Sequence, residues 1–364
     1  MTTPPSPGTP YHRLARTERH RWWRPVLGTV FALAGTFTMM CLLYGAAEVV
    51  GTLTDRPLGP DDTVTFGPTV DTALLLLSIA VALPLVLLAA PLAQARPVGT
   101  VSSVLGRLRW RWLGLCALLA LPTILLLFGG GMGLIALTGD LDGGGDGTGT
   151  GWPGWPGFLG ALVMLVALVP LQAAAEEYVF RGWLLQAVGA FFRTPWPAIG
   201  IQAVLFAAAH GWGTRWGFAE LVLTGALTGW LTVRTGGLEA AVALHVVNNL
   251  VAFIASAATG DLASEETAAD APWQLLVVSV LVHLGYAGAV LWLARRREVA
   301  TLVPAAATPH VGHANPAGYP TQPGYPTPPG YPSPPPPAPS GYPVGAPQPT
   351  APPATPETPP PPAG

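Results

Sequence analysis

Three short clusters of polar residues interrupt otherwise apolar sequence, and their residue types suit hydrolytic chemistry. They are Glu176-Glu177-Tyr178-Val179-Phe180-Arg181, Phe206-Ala207-Ala208-Ala209-His210 and His245-Val246-Val247-Asn248-Asn249. Glu177 and Arg181 stand four apart, on one helical face, and can pair. Glu176 is rotated from Glu177 by about 100° on a helix of ~3.6 residues per turn. Arg181 can therefore neutralise one carboxylate while the other points elsewhere. A buried ion pair that fixes helix packing accounts for Glu177 and Arg181, but it leaves Glu176 without a purpose. The alanines before His210 form a narrow face that lets a neighbouring helix approach closely. His245 and Asn249 also share a face. Each histidine alone reads more readily as structural. Together, a carboxylate, two imidazoles and an amide suffice for water activation and oxyanion stabilisation.

The elements that must carry these clusters are membrane helices. Of 364 residues only 10% are charged and 50% are hydrophobic, whereas a soluble globular chain carries ~25% charge. That excludes an ordinary soluble enzyme, and a net charge of −2 excludes nucleic-acid binding driven by bulk basicity. All the basic residues are arginine, a coding bias of GC-rich bacterial genomes from which no chemistry follows. Apolar stretches able to cross a bilayer as ~20 helical residues recur at about 26–50, 72–93, 112–138, 157–190, 196–210, 217–233, 238–257 and 273–294. The expected fold is thus an all-α polytopic membrane bundle of about eight transmembrane helices. The first stretch is too long for the apolar part of a cleaved signal peptide. Cys41 and Cys116 lie in apolar runs and read as small core residues rather than a disulfide framework.

Loop charge sets an expected orientation. Arg13, Arg16, Arg19, Arg21 and Arg24 precede the first stretch. Arg96, Arg107, Arg109 and Arg111 lie between the second and third, and Arg295, Arg296 and Arg297 end the last. The alternate loops carry Asp55, Asp61 and Asp62, then Asp140, Asp142 and Asp146, then Asp261, Glu265, Glu266 and Asp270. Eight spans with both termini cytoplasmic put every basic cluster inside, so the expected location is a bacterial plasma membrane. Residues 1–24 form a basic cytoplasmic arm and 25–298 the membrane domain, with the site within about 157–257. Residues 299–364 form a tail; 304–364 hold 24 of the 42 prolines and four Gly-Tyr-Pro units. Such a segment cannot bury a core and is expected to be disordered with polyproline II bias. It reads as a solvated tail, with a proline-recognising partner as the alternative. The glycine-rich stretch 143–151 reads as a flexible outer loop.

An ionisable residue at membrane depth costs ~2.5–3.5 kcal/mol on insertion scales, so each needs a reason. Glu48 and Glu220 lie near span ends and can reach the interface. Glu239 stands where a helix N-terminus favours an anion. His283 reads as a packed or hydrogen-bonded structural histidine. Counted at ~1.5 Å per residue from the cytoplasmic helix ends, Glu176 lies ~24 Å deep, His210 ~21 Å and His245 ~10 Å. These depths allow one shared cavity without requiring it.

The ordered set Glu-Glu-x-x-x-Arg, Phe-x-x-x-His and His-x-x-x-Asn on successive membrane helices resembles the intramembrane endopeptidases of the CAAX prenyl protease 2 and bacteriocin-processing type (the Abi, or CPBP, family). The resemblance covers about 160–257. It implies hydrolysis of peptide bonds in membrane-associated peptides or proteins. It makes Glu176 and His210 the residues that activate water, and His245 and Asn249 those that stabilise the oxyanion. Glu177 and Arg181 become supporting residues. That family is commonly described as metalloproteases, so Glu176, His210 and His245 become candidate ligands for Zn²⁺. The chain has no His-Glu-x-x-His helix, and a metal-free, glutamate-activated water uses the same residues; the reading favours no tightly bound metal. The partners implied are the bilayer and a membrane-associated substrate. The alternative is a non-catalytic membrane protein, a transporter or an immunity or scaffold factor with a structural polar cluster. A transporter would be expected to carry internal repeats, and the first half holds no copy of the glutamate motif.

Overall fold

A computed structural model describes residues 2–59, 62–139, 151–262 and 267–305. The proline-rich segment from 306, most of the glycine-rich loop and the acidic residues at 61, 140–146 and 265–266 lie outside the described residues. Helices make up most of the described residues: α1 (Trp23–Leu53), α2 (Pro68–Ala80), α3 (Ala82–Gln94), α4 (Trp110–Thr138), α5 (Gly154–Glu177), α6 (Leu185–Gly189), α7 (Trp196–Ala209), α8 (Arg215–Thr235), α9 (Glu239–Thr259) and α10 (Trp273–Arg296). There is no named strand among the described residues. The protein is an all-α, multi-pass membrane protein.

Helix-forming apolar residues build these elements, and proline and glycine punctuate them. α2 and α3 form a single apolar span, Pro68–Gln94, broken at Val81. Pro84 has no N–H to offer the carbonyl four residues back, so the ladder is interrupted there. α5 runs through a π-helical segment, Tyr178–Leu184, into α6. α8 begins at Thr214, whose side chain accepts the Gly217 N–H, and it ends at Gly236, whose φ of 67° is left-handed backbone that glycine adopts without penalty.

Among the described residues, six helical spans are long and apolar enough to cross a bilayer: Trp23–Leu53, Pro68–Gln94, Trp110–Thr138, Gly154–Gly189, Glu239–Thr259 and Trp273–Arg296. The other two expected spans exist as helices but differ in kind. α7 is apolar and only 14 residues long. α8 is long but carries Arg215, Glu220 and Arg234. Outward faces are covered with large apolar side chains, among them Phe37, Leu118, Val163 and Leu281, as contact with lipid tails requires. Cys116 is a core residue as expected, whereas Cys41 is exposed on α1.

Hydrogen bonds between helix ends define two faces of the bundle. On one, Thr3 N bonds Ala95 O, Arg16 Nη1 bonds Ala190 O, Val104 N bonds Gly236 O, and Arg109 Nη1 bonds Ala300 O. On the other, Glu48 accepts from Val64 N, Gly151 N bonds Thr259 O, Thr214 Oγ1 bonds Ala271 O, and Gln274 Nε2 bonds Thr138 Oγ1. All three arginine clusters therefore gather on the first face. Exposed Trp22, Trp110, Trp196 and Trp292 sit at helix ends on that side, and Trp152, Trp155, Trp212 and Trp273 on the other. These two rings are aromatic girdles of the kind found at both membrane–water interfaces.

The first face is more built than its loop composition implies. Tyr11 and Leu14 of the N-terminal arm are fully buried, and Tyr11 Oη donates to Val101 O at 2.6 Å. A Cβ on Gly189 would lie 2.1 Å from the His12 carbonyl oxygen, so only glycine lets the arm lie directly on α6. Arg96, read from sequence as a loop charge, is fully buried; it donates to Gln94 Oε1, Thr100 Oγ1 and Gln186 Oε1 at 2.6–2.7 Å. Burial pushes its guanidinium down to about 10. Residues 299–305, assigned above to the tail, are placed against this arm: Gly8 N bonds Val303 O and Val303 N bonds Thr9 O. Val299, Ala300 and Val303 pack on the apolar core, which is why the chain stays ordered past the last helix.

Glu239 is likewise more than a helix-dipole anion. It takes Arg109 Nε at 2.8 Å and Nη2 at 2.6 Å, a two-pronged pair that ties α4 to α9. Glu220 is held by neighbouring hydroxyls. It accepts from Thr224 Oγ1 at 2.8 Å and Ser279 Oγ at 2.6 Å, and both hydroxyls also lie against His283 Nδ1. That network joins α8 to α10 and gives His283 the hydrogen-bonded structural role expected of it.

Candidate active site

All six residues singled out from sequence meet inside the bundle. α9 packs against both α4 and α5, and α7 packs against α8 and the π segment. Glu176 and Glu177 are the last two residues of α5, His210 follows the end of α7, and His245 and Asn249 lie one turn apart on α9. The π segment starts immediately after the glutamates. Such wide turns concentrate at functional sites. Here Gly182 lets the segment press inward, since a Cβ there would be 2.8 Å from Val101 Cγ1, and Tyr178 Oη hydrogen-bonds Ser102 Oγ at 2.8 Å.

The two glutamates occupy different environments. Glu177 and Arg181 are sealed, each side chain 1% exposed, with Arg181 Nη1 donating to Glu177 Oε1 at 3.0 Å. His245 Nδ1 reaches the same oxygen at 2.8 Å. The Arg181 guanidinium lies 4.0 Å from the centroid of the Phe206 ring, a cation–π contact that fixes its plane. Phe206 also borders His210 at 4.6 Å and His245 at 5.9 Å between ring centroids. Its place at the start of the second cluster is therefore a packing role.

Glu176 is the carboxylate left for chemistry. Its side chain is 12% exposed, and its Oε2 lies 3.8 Å from His210 Nε2 and 3.8 Å from His245 Nε2. That distance is too long for a direct hydrogen bond, and Oε2 has no hydrogen-bond partner. Each imidazole is oriented by its far nitrogen. His210 Nδ1 donates to Phe206 O at 2.9 Å, and His245 Nδ1 donates to Glu177 Oε1, so both Nε2 atoms face Glu176. The gap is of the width that a single water bridges. His210, at 22% exposed, is the most open of the three.

The other oxygen of Glu176 is engaged. Gln172 Nε2 donates to Glu176 Oε1, and Asn249 Nδ2 donates to Gln172 Oε1 at 3.0 Å. The sequence reading passed over Gln172. Its signal was a polar amide four residues before Glu176 on a membrane helix, the spacing of a same-face pair.

One carboxylate oxygen and two imidazole nitrogens are donor types that zinc takes. Zinc holds such ligands at ~2.0–2.2 Å, which brings tetrahedral ligand atoms to roughly 3.3–3.6 Å of one another. Both nitrogen–oxygen distances here exceed that. Among the described residues no group of three His, Cys, Asp or Glu is gathered to hold a metal ion. The arrangement does not fit zinc as it stands, and no step below is derived through a metal.

Residues 158–251, which contain the whole constellation, match the profile of the Rce1-like family, the type II CAAX prenyl endopeptidases. The match is confined to this segment, about a quarter of the chain. A protein of Bacillus subtilis (strain 168), described as the uncharacterized protein YyaK, is 30% identical over 141 residues, covering 35% of this chain and 47% of its own length. The chain thus spans about half the length of the curated relative it matches. No solved structure matches. The Rce1-like segment begins in α5 and ends in α9, so the family match and the side-chain cluster coincide.

Proposed function

We propose that the protein is an intramembrane endopeptidase that hydrolyses peptide bonds of membrane-associated peptides or proteins. The observation that carries this reading is the Glu176 carboxylate oxygen, without a hydrogen-bond partner and faced at equal distance by two oriented imidazoles. The Rce1-like match over the same residues supports it.

A water seated between Glu176 Oε2 and His210 Nε2 attacks the scissile carbonyl carbon while its proton passes to Glu176. His210 orients this water through Nε2, because its Nδ1–H is committed to Phe206 O. The carbonyl oxygen becomes an oxyanion. Asn249 retains one Nδ2–H beyond the bond to Gln172, and His245, with Nδ1–H on Glu177, presents Nε2 to the same space. These two stabilise the oxyanion, His245 doing so as the imidazolium, whose Nε2–H donates. Glu176 then returns the proton to the departing amine as the C–N bond breaks, leaving a carboxylic acid and an amine. Preorganised donors of this kind typically contribute 10²–10³-fold each, about 2.7–4 kcal/mol.

In this reading the arginine-rich face is cytoplasmic, following the bias of short loops, and the membrane is a bacterial plasma membrane. The substrate is itself a membrane-associated peptide or protein, and the segment beyond 305 offers PPII-type sequence to a proline-recognising partner. Membrane fractions of cells carrying wild type or Glu176→Ala, compared by quantitative proteomics, test the activity. A precursor that accumulates with Glu176→Ala is the expected result, and identical membrane proteomes count against it.

A further inference from the structure

Three amides and a carboxylate form one directional chain across α5 and α9. Asn248 Nδ2 donates to Asn249 Oδ1 at 3.2 Å, Asn249 Nδ2 donates to Gln172 Oε1 at 3.0 Å, and Gln172 Nε2 donates to Glu176 Oε1. A primary amide has one donating and one accepting end, whereas a carboxylate only accepts. The charged end therefore sets the direction of the whole chain. Glu176 takes the amino end of Gln172, which turns the Gln172 carbonyl toward Asn249 and in turn draws the amino end of Asn249 inward.

Reversal of Asn249 would place a carbonyl oxygen where an oxyanion forms, replacing attraction with repulsion. Nothing else hydrogen-bonded to Asn249 prevents that reversal. Asn248 is itself an amide that can turn with it, and both lie on partly exposed turns of α9. Gln172, by contrast, is buried and anchored to Glu176. It also occupies one oxygen of Glu176, which leaves Oε2 for water.

We propose that Gln172 is a positioning residue of the peptidase reaction, holding Asn249 with its amino group toward the reacting carbonyl and Glu176 with one oxygen free. The proposal rests on the peptidase reading above. Gln172 touches neither water nor substrate; it acts through Asn249 and Glu176. A residue that only packed α5 against α9 would affect folding, not the chemical step.

The test is a double-mutant cycle on detergent-purified full-length protein, cleaving a transmembrane peptide reporter, with thermal melts alongside. Gln172→Met keeps the length and removes both hydrogen bonds. The expected result is a fall in kcat of about 10–100-fold, somewhat below the loss of a whole oxyanion donor, with KM within twofold. In an Asn249→Ala background the same substitution should lower kcat less, because only its effect through Glu176 remains. Equal effects in both backgrounds, or wild-type kcat in Gln172→Met, overturn the proposal. Should Gln172→Met fail to fold, Gln172→Asn, too short by one methylene to bridge both neighbours, takes its place in the cycle. Glu176→Gln is the control for the underlying reading. A wild type no more active than that variant overturns both the peptidase reading and this proposal, whereas an active wild type matched by Gln172→Met overturns this one alone.

Discussion

Neutralising the two adjacent glutamates should have opposite consequences. Glu177→Gln keeps an oxygen that can still accept from His245 Nδ1, but it removes the charge that faces Arg181. Arg181 is 1% exposed, so it cannot turn to water, and among the described residues no other carboxylate lies within ion-pair distance of it. Breaking one side of a buried pair costs about 3–5 kcal/mol, because the remaining charge stays desolvated. The shift is about 2–4 °C per kcal/mol for 150–250 residues and smaller for a longer chain, so the apparent melting temperature should fall by several degrees. Adding Arg181→Met removes the stranded charge and should restore most of the loss, since apolar replacement of a whole buried pair is often neutral. Glu176→Gln removes a basic oxygen that no protein donor holds, while its amide oxygen still accepts from Gln172. Melting should stay within a few degrees of wild type. Turnover should fall by ~10²–10⁴-fold, the usual contribution of a positioned general base. The assay is detergent-purified protein, thermal melts and cleavage of a transmembrane reporter, all variants side by side. A Glu177→Gln protein as stable as wild type would refute the stranded-charge argument. A well-folded, fully active Glu176→Gln would remove Glu176 from the mechanism.

Truncation should separate tail from bundle at a sharp boundary. Deleting 304–364 leaves Val303 paired with Gly8 and Thr9 and should preserve membrane expression and melting temperature. Deleting from 299 also removes the Ala300 carbonyl that accepts from Arg109 and should lower both; a bundle indifferent to this second cut would show that 299–303 add nothing. With an arginine-rich face on the cytoplasmic side, a topology reporter fused after residue 305 should read as cytoplasmic. An extracytoplasmic reading would overturn that orientation.

Much of this architecture is legible from the linear sequence because the bilayer is a demanding solvent. Apolar length, helix-ending glycines and the sign of loop charge report local properties, and the eight expected stretches all appear as helices. The site residues are legible for the same reason. A glutamate, a histidine or an asparagine inside apolar sequence is costly, and spacing alone pairs Glu177 with Arg181 and puts His245 on a face with Asn249. What neighbours do with one another is not local. Depths counted along straight helices separated His245 from Glu176 by about 14 Å, yet their side chains lie 3.8 Å apart. Helix ends and tilts set the true depth, and a seven-residue π segment next to the glutamates adds to the error of a straight-helix count; nothing in Tyr178–Leu184 announces it. Loop position made Arg96 look solvated and 299–305 loose, but the folded N-terminal arm and its neighbours bury or pair both. Gln172 read as one more residue of an apolar helix. Only the approach of α9 to α5 puts Asn249 beside it, because a hydrogen bond between residues 77 positions apart depends on where two helices cross, and crossing geometry is a property of the packed bundle.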